Sequence, residues 1–245
     1  MKTFLIAGIA SLCAFSHPAH AATATLETLL GSVTLTQGDV TFSNFAFADN
    51  VPTPALDGDF IPDPNLIDVT TSATASTTTL TFSFLPPVAI SGVDPAGSEH
   101  IFDFFIDFDV SVSAASSRTL TGLTLGDGDL SASGTNAFAE VAFNDASPIP
   151  VNALVGIFEA TEFGSQVTDI STLPDLSSLS LFGRIEGETN ASDSTAGLST
   201  FALTFDLDGT PPVTPPATPV PLPASLPLIL AGLGGLALLR RRKNI

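Results

Sequence analysis

An alternation of apolar and polar side chains between His100 and Ser113 is the feature that most limits what this chain can fold into. The apolar positions are Phe102, Phe104, Ile106, Phe108, Val110 and Val112. The polar positions between them are Asp103, Asp107, Asp109, Ser111 and Ser113, and Phe105 is the one interruption. A period of two places one set of side chains in a core and the other in water, as in an antiparallel sheet.

Similar bursts of alternation recur along the chain and predict further strands. They cover residues 32–36, 40–48, 66–72, 78–84, 119–125, 136–143, 153–160, 178–186 and 200–208. Turn-forming residues punctuate them at Asp57-Gly58, Pro86-Pro87, Gly126-Asp127-Gly128 and Asp208-Gly209. No stretch combines helical spacing with capping residues. About ten short strands with turns between them predict an all-β fold, an antiparallel β-sandwich, with a closed barrel as the alternative.

Residues 1–22 are predicted to be a secretory signal. Lys2 supplies the positive start, and the apolar stretch that follows is too short to be a stable membrane span. Ala19 and Ala21 place small side chains at the two positions that signal peptidase reads. We therefore expect cleavage after Ala21 or Ala22, with an uncleaved anchor as the alternative.

The body of the exported chain, predicted as residues 23–209, is strongly acidic. All 25 Asp and Glu residues lie in it, and Arg118 and Arg184 are its only cations. Such a body repels nucleic acid and anionic lipid and attracts divalent cations and basic partners. The alternative is that the charge only keeps a secreted protein soluble.

Cysteine and aromatic content limit the chemistry further. Cys13 is the only cysteine and leaves with the signal, so disulfides and thiolate metal sites are excluded from the exported body. All 19 aromatic residues are Phe. Because Phe has no polar tip, these side chains are expected in a core, and the lack of Trp and Tyr disfavours a sugar-stacking site.

The composition changes after residue 209. Residues 210–219 are rich in proline and predict an extended, semi-rigid linker. The next stretch, 224–239, has no charge and would span roughly 24 Å as a helix, short of the ~30 Å hydrocarbon core. Four cations follow and are expected to hold the end of the chain in the cytoplasm: Arg240, Arg241, Arg242 and Lys243.

The tail, residues 220–245, resembles the PEP-CTERM protein-sorting tails of Gram-negative bacteria. It is closest to the variant whose motif is Val-Pro-Leu-Pro-Ala, matched by Val220, Pro221, Leu222, Pro223 and Ala224. The resemblance implies that a membrane protease-transpeptidase, exosortase, recognises this motif and removes the tail. It also implies transient residence in the inner membrane and a final place at the cell surface or in an extracellular polysaccharide matrix.

Two alternatives for the tail stay open. Leu222 to Leu226 weakly resembles a Gram-positive sortase signal, and the span could be a simple permanent anchor. A second, fainter resemblance lies at residues 29–47, where Gly38-Asp39 and Phe42 to Phe45 are similar to the mature start of a group of exported PEP-CTERM proteins. That likeness implies export and an all-β fold.

No catalytic site is predicted. His100 is the only histidine of the body and is interpreted as an ordinary surface residue at the start of a strand. A serine triad lacks its elbow motif, and a three-histidine zinc site is impossible. A glycosidase needs only two carboxylates, so a carbohydrate-active hydrolase remains an alternative.

Calcium is the strongest chemical hypothesis, although no metal site and no cofactor is predicted outright. Three loops place carboxylates two residues apart, and such loops offer oxygen ligands for Ca²⁺: Asp57-Gly58-Asp59, Asp127-Gly128-Asp129 and Asp206-Leu207-Asp208-Gly209. Asp-Gly pairs are also common turn formers. The prediction is therefore an exported, non-catalytic structural or interaction protein, with a Ca²⁺-dependent adhesin as a further alternative.

Overall fold

The computed structural model describes residues 21–51, 58–93, 97–146, 156–161, 164–170 and 173–210. The first half contains β1 (Thr23–Thr25), α1 (Leu26–Leu30), β2 (Leu35–Gln37), β3 (Val40–Asp49), a 3-10 turn (Pro64–Leu66), β4 (Ile67–Ala73), β5 (Thr77–Ser91) and β6 (His100–Val112). The second half contains β7 (Thr119–Ser133), β8 (Phe138–Asp145), β9 (Gly156–Thr161), β10 (Gly164–Ile170), β11 (Ser178–Thr189) and β12 (Thr195–Asp208).

The strands form two antiparallel sheets, which confirms the all-β prediction. The first sheet has the order β1-β4-β5-β12-β7, and the second has the order β9-β8-β11-β6-β3-β2. Strand β10 joins them, because residues 164–168 pair with β9 while Asp169 and Ile170 pair with β7. Across the described residues the ladder begins at β1 and ends at β2, and those two strands are not paired with each other.

Phenylalanine rings from both sheets meet in one core. The ring centroids of Phe42 in the second sheet and Phe205 in the first are 5.6 Å apart, and those of Phe108 and Phe82 are 6.1 Å apart. All four side chains are buried. Each contributes about 1.5–3 kcal/mol on burial, so the alternation seen in the sequence is the main source of the fold's stability.

Two predicted turns lie inside strands instead. Pro86-Pro87 is part of β5, where the pairing with β12 shifts from Ser83↔Thr200 to Val88↔Leu198. The residues between Ser83 and Val88 therefore have no ladder partner on β12, and proline is tolerated where no backbone donor is needed. The turn prediction was wrong because a bulge uses the same residues as a turn.

The same applies to Gly126-Asp127-Gly128, which lies within β7. The pairing moves from Ala202↔Gly126 to Thr200↔Asp129, so β7 carries one extra residue there. Glycine at a bulge is common because the local backbone geometry is irregular. In contrast, the turn predicted at Asp208-Gly209 is confirmed, since β12 ends at Asp208 and Gly209 has a φ of 100°.

A short helix was not predicted. Thr25 caps it by accepting a hydrogen bond from the backbone N–H of Thr28 at 3.3 Å. Leu26 and Leu29 are fully buried, so their spacing of three is helical. Five residues are too few for a periodic pattern to stand out in the sequence.

The strand count and some bounds also differ from the prediction. The described residues contain twelve strands, and β1 and β10 were not predicted. The strand expected over 32–36 begins only at Leu35, because Ser32 has a φ of 67°, in the left-handed region. Propensity alone does not reveal such a conformation.

Several predicted segments lie outside the described residues. They are the signal up to residue 20, the linker from residue 211, and the whole tail with its motif at 220–224, its span at 224–239 and its cations at 240–243. These remain predictions. A search of the described residues finds no helix with the length and hydropathy needed to cross a membrane.

Candidate functional site

Arg118 is buried inside the body, where both of its Nη atoms are bonded while its buried Nε has no hydrogen-bond partner among the described residues. Its Nη1 lies 3.3 Å from Oδ1 of Asp39, and its Nη2 donates to the carbonyl of Ala75 at 2.8 Å. Ser116 donates to the other oxygen of Asp39 at 2.5 Å. The side chains of Arg118 and Asp39 are only 5% and 6% exposed, so this cation is not available to a partner.

Arg184, the other cation of the body, binds carboxylates on two strands. Its Nε and Nη2 donate to the two oxygens of Asp103 at 3.0 and 2.8 Å, a bidentate pair. Nη2 also contacts a carboxylate oxygen of Glu186. Asn50 adds a hydrogen bond of 2.7 Å to Asp103, and these bonds compensate the cost of burying that carboxylate.

Carboxylates face each other across neighbouring strands of the second sheet. The register places Glu186 opposite both Asp103 on β6 and Glu140 on β8. Like charges at directly opposed positions destabilise a sheet. Burial is the main cause that raises the pKa of Glu186, and the charge of Arg184 opposes it.

Glu188 and Glu99 form a carboxyl pair. Burial, then the charge of Glu99 and a hydrogen bond with it, raise the pKa of Glu188, while a hydrogen bond from Asn190 at 3.3 Å lowers it. Two carboxyl groups can share a hydrogen bond only when one of them carries a proton. The raised pKa means that Glu188 keeps its proton to a higher pH than an isolated Glu does.

These groups line an open groove of about 190 Å³ on the second sheet, which we term the acidic groove. Its charged lining consists of Glu99, Asp103, Arg184, Glu186 and Glu188, and its apolar walls include Ile101 and Phe138. Carboxylates beside apolar walls suit a ligand with a cationic end and an apolar body. A carboxyl with a raised pKa next to other carboxylates is also an arrangement that general acid–base chemistry can use.

An aromatic pair lies on the same sheet. The rings of Phe105 on β6 and Phe182 on β11 are 5.1 Å apart at an interplanar angle of 32°. Phe182 is 37% exposed, and it is the only exposed aromatic residue among those whose side chains the structure describes. Asp107 lies directly opposite Phe182, and burial raises the pKa of Asp107 against a hydrogen bond from the backbone of Gly183.

His100 is not the surface residue that was predicted. Its side chain is only 7% exposed, and Nδ1 lies 2.9 Å from the carbonyl oxygen of Ser91. A methyl group added at Gly58 would lie 2.4 Å from the ring, so the loop passes directly over it. His100 is separated from the buried Phe102 and Phe104 by even numbers of residues, so its side chain points to the same face of β6. The alternation in the sequence was therefore sufficient to predict its burial.

The carboxylate loops proposed for Ca²⁺ are only partly described. Asp57 lies outside the described residues, and Asp59 accepts a hydrogen bond from the backbone of Ile101 at 3.0 Å. Asp129 accepts one from Ser199 at 2.8 Å. Within the described ranges no group of three or more His, Cys, Asp or Glu side chains is arranged to hold a metal ion.

The first sheet carries a wider groove of about 330 Å³. Gly197 lies between Ala89 and Ser131 on adjacent strands, so the floor is made of small side chains. Asp129 is the only charged residue in its lining. The grooves on the two sheets therefore differ in charge, because the acidic groove on the second sheet is lined by several carboxylates.

The predicted signal-cleavage residues lie at the edge of the described chain. Ala19 is outside it, and Ala21 is exposed. Ala22 is bonded to β4, because its N–H donates to Oγ1 of Thr71 at 3.3 Å and its carbonyl accepts from the N–H of Thr71 at 2.8 Å. These bonds attach Ala22 to the first sheet.

The sorting residues Val220 to Ala224 and Arg240 to Lys243 lie outside the described residues, so their contacts are not part of this site.

Comparison of the chain with models of known protein families gives no match, and comparison with curated proteins gives no significant match either.

Proposed function

We propose that this chain is an exported, non-catalytic structural or interaction protein that an exosortase sorts to the cell surface or extracellular matrix. The observation that carries the proposal is the order of features in the tail: the motif at 220–224, the uncharged span at 224–239 and the cations at 240–243. In this proposal the chain resides in the inner membrane only transiently. Extracellular polysaccharide is a candidate partner, and nucleic acid is not a partner.

The body has properties that support the proposal. A continuous core of apolar side chains, many of them Phe, stabilises two sheets without cysteine, so the fold does not depend on the redox state of its compartment. Both body arginines are engaged with carboxylates, so the domain presents a negative surface. A negative domain on a proline-rich linker suits a spacer or binding module.

Replacement of the motif prolines tests the sorting. We expect the double substitution Pro221→Ala and Pro223→Ala to leave full-length protein in the inner membrane, measured by fractionation and intact mass. The matched control is Pro215→Ala with Pro216→Ala in the linker, which changes the same residue type outside the motif. Equal processing of both variants would contradict the proposal.

A second candidate is a carbohydrate-active hydrolase, and the acidic groove favours it. Glu186 and Glu188 are alternate residues of β11, and both have raised pKa values. A carboxyl with a raised pKa near a second carboxylate is the arrangement of a glycosidase acid and its partner. Release of reducing ends from a polysaccharide panel, lost in both Glu186→Gln and Glu188→Gln, would establish this activity in place of the non-catalytic role.

A further inference from the structure

One face of the second sheet combines aromatic rings with carboxylates. We define the aromatic–acidic patch as Phe105, Phe182, Asp103, Asp107 and Glu186. The rings of Phe105 and Phe182 pack against each other at a tilt of 32°, and Phe182 is exposed although other Phe side chains fill the core. Exposing an aromatic ring costs the free energy that its burial would provide, and here the exposed ring of Phe182 lies beside a half-buried ring and several carboxylates, as in a contact surface.

The charges around this pair are unbalanced. The patch contains three carboxylates, and Arg184 is the only cation that lies among them. Arg184 is already bound to both Asp103 and Glu186. Asp107 lies beside Phe182 with no cation opposite it in the register, and its Oδ1 is buried without a hydrogen-bond partner in the described part of the chain.

The chain itself contains an example of what fits here. Arg184 lies directly opposite Phe105 in the register and binds Asp103 through two parallel hydrogen bonds. A guanidinium is planar, stacks on aromatic faces and pairs with carboxylates in a bidentate manner. A lysine ammonium lacks both the plane and the fork.

We propose that the aromatic–acidic patch binds an arginine-rich segment of a partner polypeptide. A guanidinium from the partner stacks on the exposed face of Phe182 and hydrogen-bonds to Asp107, in the way that Arg184 already combines with Asp103. This inference concerns the described body and does not depend on the fate of the tail.

Other occupants match the patch less well. The body of a second copy is equally acidic and has both of its arginines bound to carboxylates, so it is repelled. Nucleic acid is repelled for the same reason. A neutral polysaccharide can donate hydroxyl hydrogen bonds to the carboxylates, but it carries no cation to balance their charge.

Binding of an oligo-arginine peptide to the mature protein recovered from cells tests the proposal, with an oligo-lysine peptide of equal length beside it. Fluorescence anisotropy of the labelled peptides gives the dissociation constants at fixed salt. We expect the arginine peptide to bind more tightly than the lysine peptide, and Phe182→Thr to weaken its binding by about tenfold, as loss of a cation–π contact predicts. Phe182→Tyr retains the ring and is expected to retain the binding.

Charge needs its own control. Asp107→Asn in the patch and Asp206→Asn on the first sheet remove the same charge, so we expect only the first to weaken binding of the arginine peptide. Equal effects of the two, or equal affinity for both peptides, would mean general electrostatic attraction and would overturn the proposal. Binding of a neutral polysaccharide that Phe182→Thr abolishes would assign the patch to a glycan and would overturn it as well. Circular dichroism at the assay temperature confirms that each variant is folded.

Discussion

Arg184 and Asp103 form a bidentate pair between neighbouring strands, with Nε–Oδ1 and Nη2–Oδ2 distances of 3.0 and 2.8 Å. The carboxylate of Asp103 is nearly buried, whereas the side chain of Arg184 is 43% exposed. The pair therefore sits at the boundary between the core and the acidic groove. It neutralises part of a row of carboxylates that would otherwise repel each other across β6, β11 and β8.

Replacement of Arg184 measures the contribution of that ion pair to the stability of the fold. We expect Arg184→Met to lower the free energy of unfolding by about 2 kcal/mol, because it leaves Asp103 without two charge-assisted hydrogen bonds. Methionine retains an apolar stem, so the loss reports the guanidinium and not the packing. Urea denaturation at neutral pH provides the measurement.

Arg184→Lys is the matched control for charge. It keeps a cation but loses the bidentate geometry, so we expect a smaller loss than in Arg184→Met. Identical stability of both variants and the unchanged protein would show that the pair contributes nothing to the fold.

The acidic groove predicts an unusual dependence of stability on pH. Burial raises the pKa values of Glu186 and Glu188, so the folded chain binds their protons more tightly than the unfolded chain does. Their contribution to stability is complete below the ordinary value of 4.5 and is lost as pH rises through the raised values. Asp107 acts in the same direction. We expect the melting temperature to fall as pH increases above this range.

Glu188→Gln tests the origin of that slope. Glutamine resembles the protonated carboxyl and does not ionise, so we expect a flatter profile and a higher melting temperature at neutral pH. Asp129→Asn on the first sheet serves as the control, and its profile should retain the slope. If Glu188→Gln kept the full slope, the carboxyl pair would not be its source.

A glycine in β11 makes room for a core ring. Gly187 lies opposite Phe102, and a Cβ at this position would approach two ring carbons of Phe102 to 2.3 Å. We expect Gly187→Ala to destabilise the fold by about 1–3 kcal/mol through overpacking. The double variant Gly187→Ala with Phe102→Leu should lose less than the sum of the two single changes, because the clash disappears. Strict additivity in thermal or urea unfolding would argue against this contact.

The alternation of side chains made much of the fold predictable. Strand β6 was predicted to within one residue, since each of its apolar positions enters the core. The bulges of β5 and β7 were predicted as turns, because Pro and Gly occur in turns and in bulges alike. Only the pairing of these strands with β12 distinguishes a bulge from a turn. Helix α1 was missed because a single turn has no period to detect.

The candidate site was much harder to predict from the sequence. Asp103 and Glu186 were both visible as polar residues in predicted strands, but only the register places them opposite each other. Register depends on long-range pairing that one sequence does not state. The inward parity of His100 was the exception, since it follows from the alternation that predicted β6 and was overlooked because histidine is polar.

The bonds of Ala22 distinguish the two predicted cleavage sites. Ala22 makes three hydrogen bonds with Thr71 on β4, so cleavage after Ala22 would remove all three from the first sheet. Both predicted sites fit the preference of signal peptidase for small residues. We expect the protein recovered from cells to begin at Ala22, and a variant forced to begin at Thr23 to lose about 1 kcal/mol of stability. Intact mass gives the first result and urea denaturation the second; a native start at Thr23, or equal stability of the two forms, would contradict this assignment.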